Sequence, residues 1–361
     1  MSLSNHTRWR KFIRPLLIGG SLGIGVFFAI LILSDFSQLL QNAMYFPWLI
    51  LLPVIGLRVI NWGVRFLKWH FYLWLVGVRS LSLTDSAAVF VSGFPMSISP
   101  GKAAEFLKCL ILFHLTRAPI AQTIPVVASE RFSDGMAVLV LIAAAIVGLS
   151  AHEYWGIVIL CAALFGIGII ILQVRPLCMA LLRLLARIPL IGRYAHTFEV
   201  FYAASYQIVL LPNLAIAVGM GVIANLLDAL GVYLILVGMG LPPTLETFLQ
   251  AMLVDSLAVV AGAISGMPGA IGAADLTITG SLQGLVGLSV AGAGFATLVI
   301  RFVQLWLGVF VGIGVIFFAR HRLLPAAVFE AAAQHKVGES EVQPEHPPVP
   351  VPVQSFSPSP D

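Results

Sequence analysis

Apolar blocks of membrane-crossing length leave this chain few folds to choose from. They run at about 15–34, 44–62, 135–150, 154–174, 214–237 and 295–319, and the Lys and Arg residues sit mostly at span ends. A helix needs roughly 20 apolar residues to cross the hydrocarbon of a bilayer and satisfies its own backbone while doing so. The apolar residues come in blocks rather than in alternation, which argues against a transmembrane β-barrel. Charged residues make up only 10% of the chain, so a large soluble domain is excluded and the reading is an all-α polytopic membrane protein. The net charge of +4 does not point to nucleic acid, because the basic residues sit at the ends of the blocks, where topology and anionic headgroups account for them.

Positive charge sets the orientation. A basic start (Arg8, Arg10, Lys11, Arg14) puts residues 1–14 in the cytoplasm, and 15–34 reads as an uncleaved first span with no A-x-A-like site closing it. The span at 44–62 returns to Arg58, Arg65, Lys68 and Arg79. The mixed stretch Val64–Val78 reads as an interfacial helix, with Trp69, Phe71, Tyr72 and Trp74 at headgroup level. Two shorter apolar arms, Ala87–Ile98 and Ala103–Leu115, flank a Ser-Pro-Gly break and are basic at both ends, which predicts a re-entrant hairpin entered from the inside. The spans at 135–150 and 154–174 go out and back, and an amphipathic helix follows over Met179–Leu190 with Arg183 and Arg187 one turn apart.

The span at 214–237 carries Asn225 and Asp228. Leu249–Leu288 is apolar but interrupted by SGMPGAIGAAD, and no Lys or Arg between Arg193 and Arg301 holds either end inside. A second re-entrant hairpin, entered from the outside, fits. The last span ends at Arg320, His321 and Arg322, so both termini are expected in the cytoplasm. Residues 323–361 read as a disordered Pro-rich tail.

The two breaks resemble each other. Pro100-Gly101 and Pro268-Gly269 each lead into small residues and then a carboxylate, Glu105 or Asp275. Glu105 precedes Arg131 by 26 positions, and Asp275 precedes Arg301 by 26. Two hairpins dipping from opposite faces, in half repeats of about 44–174 and 214–319, form the pattern of an inverted-topology repeat. The fold expected is therefore six full spans plus two oppositely oriented re-entrant helical hairpins in residues 15–322.

Charge inside the membrane is costly and by default marks a pathway. Ser99 is a natural N-cap and Pro100 a natural first helical residue, so the break predicts a helix N-terminus, an anion site with Gly101 and Lys102 beside it. Glu105 lies one turn deeper, and Glu130, Arg131 and Asp134 are placed to complete a polar cluster, either as a translocation site or as a self-neutralised structural network. Lys108 is the weaker candidate, long enough to snorkel. In the second half Gly269, Asp275 and Arg301 form the matching set, with an ion pair between Arg301 and Asp275 or Asp255 as the structural alternative. Asp228 and Asp255 are candidates for ion or proton coupling. Cys109, Cys161 and Cys178 match neither a disulfide framework nor metal spacing and read as core residues. His114 and His152 stand alone as structural residues. No P-loop, HExxH, GxSxG or metal-spaced pair occurs, so no catalytic residue, metal or cofactor is assigned.

On these motifs the chain resembles the lysylphosphatidylglycerol synthase transmembrane region family of flippase-like integral membrane proteins. The family's Pro-Gly-Arg/Lys-x-Gly-Glu, helix, Glu-Arg-x-x-Asp pattern is matched by Pro100, Gly101, Lys102, Glu105, Glu130, Arg131 and Asp134, with Ala104 in place of the usual Gly. A later Pro-Gly-Gly-x-Gly-x-x-Glu segment resembles Pro268, Gly269, Gly272 and Asp275, with Asp for Glu, before a span holding Arg301. The resemblance implies translocation of lipids with bulky or modified headgroups, without the soluble transferase domain of the bifunctional members.

The resulting expectation is a lipid translocator of the inner (cytoplasmic) cell membrane rather than an enzyme. It would move a phospholipid, hopanoid or polyisoprenyl-linked lipid through a polar cavity between the hairpins. Its partners would be lipids with anionic or modified headgroups, with room for a lipid-synthesis enzyme and for a homo-oligomer. The rival is a membrane-embedded transferase or accessory subunit acting on a lipid phosphate, its acid or base drawn from Glu105, Glu130 or Asp134. A scaffold acting through the Pro-rich tail is the third reading.

Overall fold

A chain this apolar must bond its backbone internally, and among the described residues every regular element is a helix. The computed structural model describes residues 25, 36–98, 107–150, 155–185 and 198–323. Helix α1 (Phe36–Tyr45) and a 3₁₀ turn at Trp48–Ile50 lead into α2 (Leu51–Leu75). Then come α3 (Leu83–Met96), α4 (Leu107–Thr116), α5 (Ile120–Gly148), α6 (Trp155–Gln173), α7 (Arg175–Leu185) and α8 (Phe198–Val209). The second half holds α9 (Leu211–Gly238), α10 (Leu245–Ser265), α11 (Ala273–Gly284) and α12 (Val290–Arg301). A π-helical turn, Phe302–Trp306, joins α12 to α13 (Leu307–Leu323). Among the described residues five helical segments are long and apolar enough to cross a membrane, six if α6 and α7, bent by 99°, are taken as one span.

Local chemistry sets the helix starts. Ser82, Thr244 and Ser289 cap α3, α10 and α12, each side-chain oxygen accepting the N–H three residues on. Packing then follows small residues, as it must where helices gain no hydrophobic drive from leaving lipid. Helix α9 lies against both α2 and α5. A Cβ on Gly221 would stand 2.9 Å from that of Ala137, so glycine is what lets α9 approach α5 so closely. Helix α13 packs on α3 in the same way: a Cβ on Gly312 would stand 2.3 Å from Pro95 Cδ and 2.8 Å from the Val91 carbonyl oxygen.

Helices α10 and α11 pack together around the break at Gly266–Gly272. Gly269 and Gly272 hold φ of 59° and 87°, the left-handed region that a side chain resists. The second break meets the end of α3. The Gly269 N–H donates to the Ser97 carbonyl at 2.9 Å, and Ile98 and Ile271 pack with Val309 beside that bond.

Several expected boundaries shift. The first span at 15–34 lies outside the described residues apart from Gly25, as do Ser99–Phe106, residues 186–197 and the tail from 324. The second span does not stop at Trp62. Helix α2 runs on to Leu75, so Val64–Val78 is no interfacial helix; Trp69, Tyr72 and Leu73 are fully buried. Its cations have acidic partners and need no headgroup. The third span begins at Ile120 rather than Gly135, which puts Glu130, Arg131 and Asp134 inside one 29-residue helix. Helix α10, read in sequence as a hairpin arm, is long enough at 21 residues to cross by itself, whereas α11 has 12. The amphipathic helix starts at Arg175 and turns 99° from α6. The spans read at 214–237 and 295–319 appear within Leu211–Gly238 and Val290–Ala319.

Candidate functional site

The polar residues of α2 form a ladder. Arg58, Asn61, Arg65, Lys68 and Tyr72 recur at alternating steps of three and four, the spacing that keeps side chains on one helical face. That face meets α9 and α5, which supply the acids. Arg58 Nη1 donates to Asp228 Oδ1 at 2.6 Å. Asn61 Nδ2 donates to the other Asp228 oxygen at 3.1 Å and to the Ala224 carbonyl at 2.6 Å. Arg65 Nη1 donates to Asp134 Oδ2 at 2.9 Å, while its Nη2 donates to Asn225 Oδ1 at 3.3 Å and lies 3.8 Å from Asp228. Lys68 pairs with Asp134 and lies 3.4 Å from Ser133 Oγ, to which the Tyr72 hydroxyl donates at 2.8 Å. Its side chain is 1% exposed, so Asp134 is what makes that ammonium tolerable.

The ladder continues across the π turn. Arg58 Nη2 donates to the Gln304 carbonyl at 2.5 Å, and the Gln304 amide donates to Asp255 Oδ1 at 2.7 Å. A π turn loosens the i+4 backbone ladder and recurs at functional positions; here it brings Gln304 between Arg58 and Asp255. A small cleft lies beside this group, lined by Arg58, Asp228, Gln304 and apolar residues of α2, α9, α12 and the π turn.

Two further charged groups flank the ladder. Lys108 does not snorkel. It is buried 3.9 Å from Glu130, with its ammonium 4.9 Å from the Trp69 ring and 5.5 Å from Phe90, contacts that replace part of its hydration. Gly93 gives it room, since a Cβ there would lie 2.1 Å from Lys108 Cε. At the second break Arg301 Nε donates to Asp275 Oδ1 at 2.8 Å and Nη2 to the Gly269 carbonyl at 2.8 Å. Asp275 Oδ2 also accepts the Gly272 N–H at 2.7 Å, so one ion pair ties the turn to the start of α11 and the end of α12.

Of the residues singled out from sequence, Glu130 and Asp134 face the interior of the bundle, whereas the Arg131 side chain is exposed. Asp275, Arg301 and Gly269 come together. Asp228 and Asp255 join one chain of contacts through Arg58 and Gln304. Ser99, Gly101, Lys102 and Glu105 lie outside the described residues. Sequence reading missed Arg58, Asn61, Arg65, Lys68, Asn225 as a ligand of Arg65, and Gln304. The signal was present in α2 as a helical polar stripe, but the clustered cations were read as a cytoplasmic flank. Among the described residues no group of His, Cys, Asp and Glu is placed to hold a metal ion.

No curated protein matches the chain. The family model described as Lysylphosphatidylglycerol synthase TM region matches residues 18–312, a stretch that contains every member of the ladder and both breaks. That match spans more than half of the 361 residues, and the chain is therefore a multi-pass membrane protein belonging to the lysylphosphatidylglycerol synthase transmembrane region family.

Proposed function

We propose that this protein moves lipids between leaflets, carrying a phospholipid, hopanoid or polyisoprenyl-linked headgroup along a polar route between two opposed re-entrant hairpins. Membership of the family ties the chain to membrane lipids. The observation that carries the finer reading is the ladder of Lys68, buried, and Arg58 and Arg65, half-buried, among helices of membrane-crossing length. A headgroup phosphate in bare hydrocarbon would cost on the order of tens of kcal/mol by Born solvation. Guanidinium groups that exchange carboxylate partners for a phosphodiester offer it a substitute for water.

The repeat reading is supported by element order. A long helix, an arm, a break, a short arm and another long helical segment occur as α2 to α5 and again from α9 on, where α12, the π turn and α13 together supply the last over Val290–Ala319. Arg131 and Arg301 are each the twelfth residue of their helix. The hydrogen bond from Gly269 to Ser97 is what two hairpin tips meeting within the bilayer would make. In this reading the protein is no enzyme. It sits in the cytoplasmic membrane with both termini inside, and it takes its lipid from a synthesis enzyme.

The test is leaflet redistribution of fluorescent lipids in liposomes holding the purified chain, with Arg65→Gln and Arg58→Gln compared against the parent. Redistribution that falls at least tenfold in both variants, with lipids chemically unchanged, is expected. Covalently altered lipid would replace the reading with an embedded transferase, and full-rate redistribution in both variants would remove the ladder from the route.

A further inference from the structure

Helix α13 has α3 as its main neighbour. Its stretch Leu307–Ala319 carries no polar side chain, so no side-chain hydrogen bond fixes it to the bundle, and it packs with Gly312 against Pro95 and the Val91 carbonyl. The segment before it is held differently. Arg301, at the end of α12, binds Asp275 and the Gly269 carbonyl, and Thr297 meets Thr279 of α11 at 2.9 Å. Gln304 then ties the π turn to Arg58 of α2 and Asp255 of α10. The π turn Phe302–Trp306 is therefore a joint between a pinned segment and one without polar ties, the kind of place where helices hinge.

Helix α3 is pinned near its start, where His70 Nδ1 lies 3.2 Å from Ser86 Oγ. Toward its end it meets α2 through aromatic rings, Phe66 with Phe90 at 5.9 Å and Trp62 with Phe94 at 5.2 Å. Among the described residues a single hydrogen bond joins this end to the second break, the Gly269 N–H donating to the Ser97 carbonyl at 2.9 Å. That donor caps α3, whose last carbonyls have no partner within the helix. Beside it Ile98, Ile271 and Val309, all buried, form a small apolar seal apart from the larger cores.

We propose that α3 and α13 swing as a pair about the π turn, and that the contact of Ser97 and Ile98 with the second break is a latch that this swing opens and closes. The arrangement described is the closed one. The bonds that give the break its shape come from Arg301 and Asp275, on the pinned side. Releasing the latch thus gives up one hydrogen bond and one apolar contact and leaves both partners folded, as hinge motions of packed helices do. The inference rests on the transport reading only for what the opening admits: the headgroup of a carried lipid, between α3 and the break.

The experiment places single cysteines in the full chain, in a Cys109→Ala, Cys161→Ala, Cys178→Ala background, and reads their reaction with a charged methanethiosulfonate in liposomes. Ile98→Cys and Ile271→Cys report the latch, and Ile278→Cys, as deeply buried on α11, reports any opening of the pinned side. Expected is reaction at both latch positions at least about tenfold faster than at the control. Adding Val309→Ala, which thins the seal, should speed both by about fivefold or more and leave the control unchanged. A short bifunctional methanethiosulfonate joining Ile98→Cys to Ile271→Cys should slow lipid redistribution at least about tenfold, and reductant should restore it. Latch positions that react no faster than Ile278→Cys overturn the proposal, as does a Val309→Ala effect that the control shares. Full-rate redistribution in the joined pair overturns it too and leaves the transport reading standing. Labelling as expected in a chain that redistributes no lipid before joining overturns the transport reading alone.

Discussion

Asp134 carries two cations, and removing its charge is the sharpest test of the ladder's energetics. In Asp134→Asn, Arg65 keeps Asp228 at 3.8 Å, Asn225 at 3.3 Å and Asn61 at 3.2 Å. Lys68 keeps only Ser133 Oγ at 3.4 Å and the uncharged Asn oxygen. A buried charge left uncompensated costs about 3–5 kcal/mol, and here nearly all of it falls on Lys68. The expected loss of unfolding free energy is therefore about 3–5 kcal/mol, more than a hundredfold in the unfolding constant. Lys68→Met should cost about 1–3 kcal/mol, because Asp134 retains Arg65 at 2.9 Å. The double variant strands no ammonium and should be more stable than Asp134→Asn alone, a coupling of about 2 kcal/mol or more. Reversible unfolding of the purified protein in mixed detergent–SDS micelles measures all four corners of this cycle. Losses that simply add would refute the reasoning, since Lys68 would then not depend on Asp134.

Four further substitutions probe the packing, each read by the same unfolding assay. Arg301→Lys should cost about 1–3 kcal/mol, because an ammonium cannot serve Asp275 and the Gly269 carbonyl from two directions as the guanidinium does. Gly93→Ala should cost about 1–3 kcal/mol by driving Lys108 from its bed between Trp69 and Phe90, and the loss should largely disappear in a Lys108→Ala background. Gly312→Ala should cost at least as much, because its Cβ meets backbone and proline ring on α3, whereas Gly314→Ala, with nothing within 4 Å, should be near neutral.

How far the sequence spoke depended on what each residue's partners were. Spans such as Leu211–Gly238 and Val290–Ala319 were legible, because twenty apolar residues in a row have few other fates. The contact of Asp275 with Arg301 was legible as an alternative, since an arginine several residues into its span is too deep to snorkel easily and calls for a carboxylate. The ladder was not. Arg58, Arg65 and Lys68 take partners more than sixty positions away on α5 and α9, and the positive-inside rule gave those cations a simpler explanation. Asp134 and Asp228 were flagged because an acid in an apolar run has no such excuse. Arg131 was grouped with its neighbours by sequence, yet helical geometry turns it about 100° from Glu130, and the two sit on different faces of α5. Gln304 gave no warning, since a lone amide near a span's middle is unremarkable until a π turn sets it between two charged helices.

The ladder is a poor way to stabilise a helix bundle. Replacing a buried ion pair with well-packed apolar residues is often neutral or stabilising, so the charges on α2, α5 and α9 are not needed to hold those helices together. The close approach of Gly221 to Ala137 and the apolar cluster around Val54, Val232 and Ile300 already do that. The contrast with Arg301 is instructive. That guanidinium donates both to a carboxylate and to a turn carbonyl, in a break whose left-handed glycines need fixing, and its role is explained by the fold. Arg58 fixes no turn: beyond Asn61 on its own helix its partners come from α9 and the π turn, it borders the cleft, and its Nε has no hydrogen-bond partner among the described residues. The same fold thus holds one cation that braces a turn and another that leaves a donor unfilled. A bundle that keeps such a cation among its spans bears a desolvation cost that packing does not require, and under the proposed lipid transport a passing anion would give that cost a use.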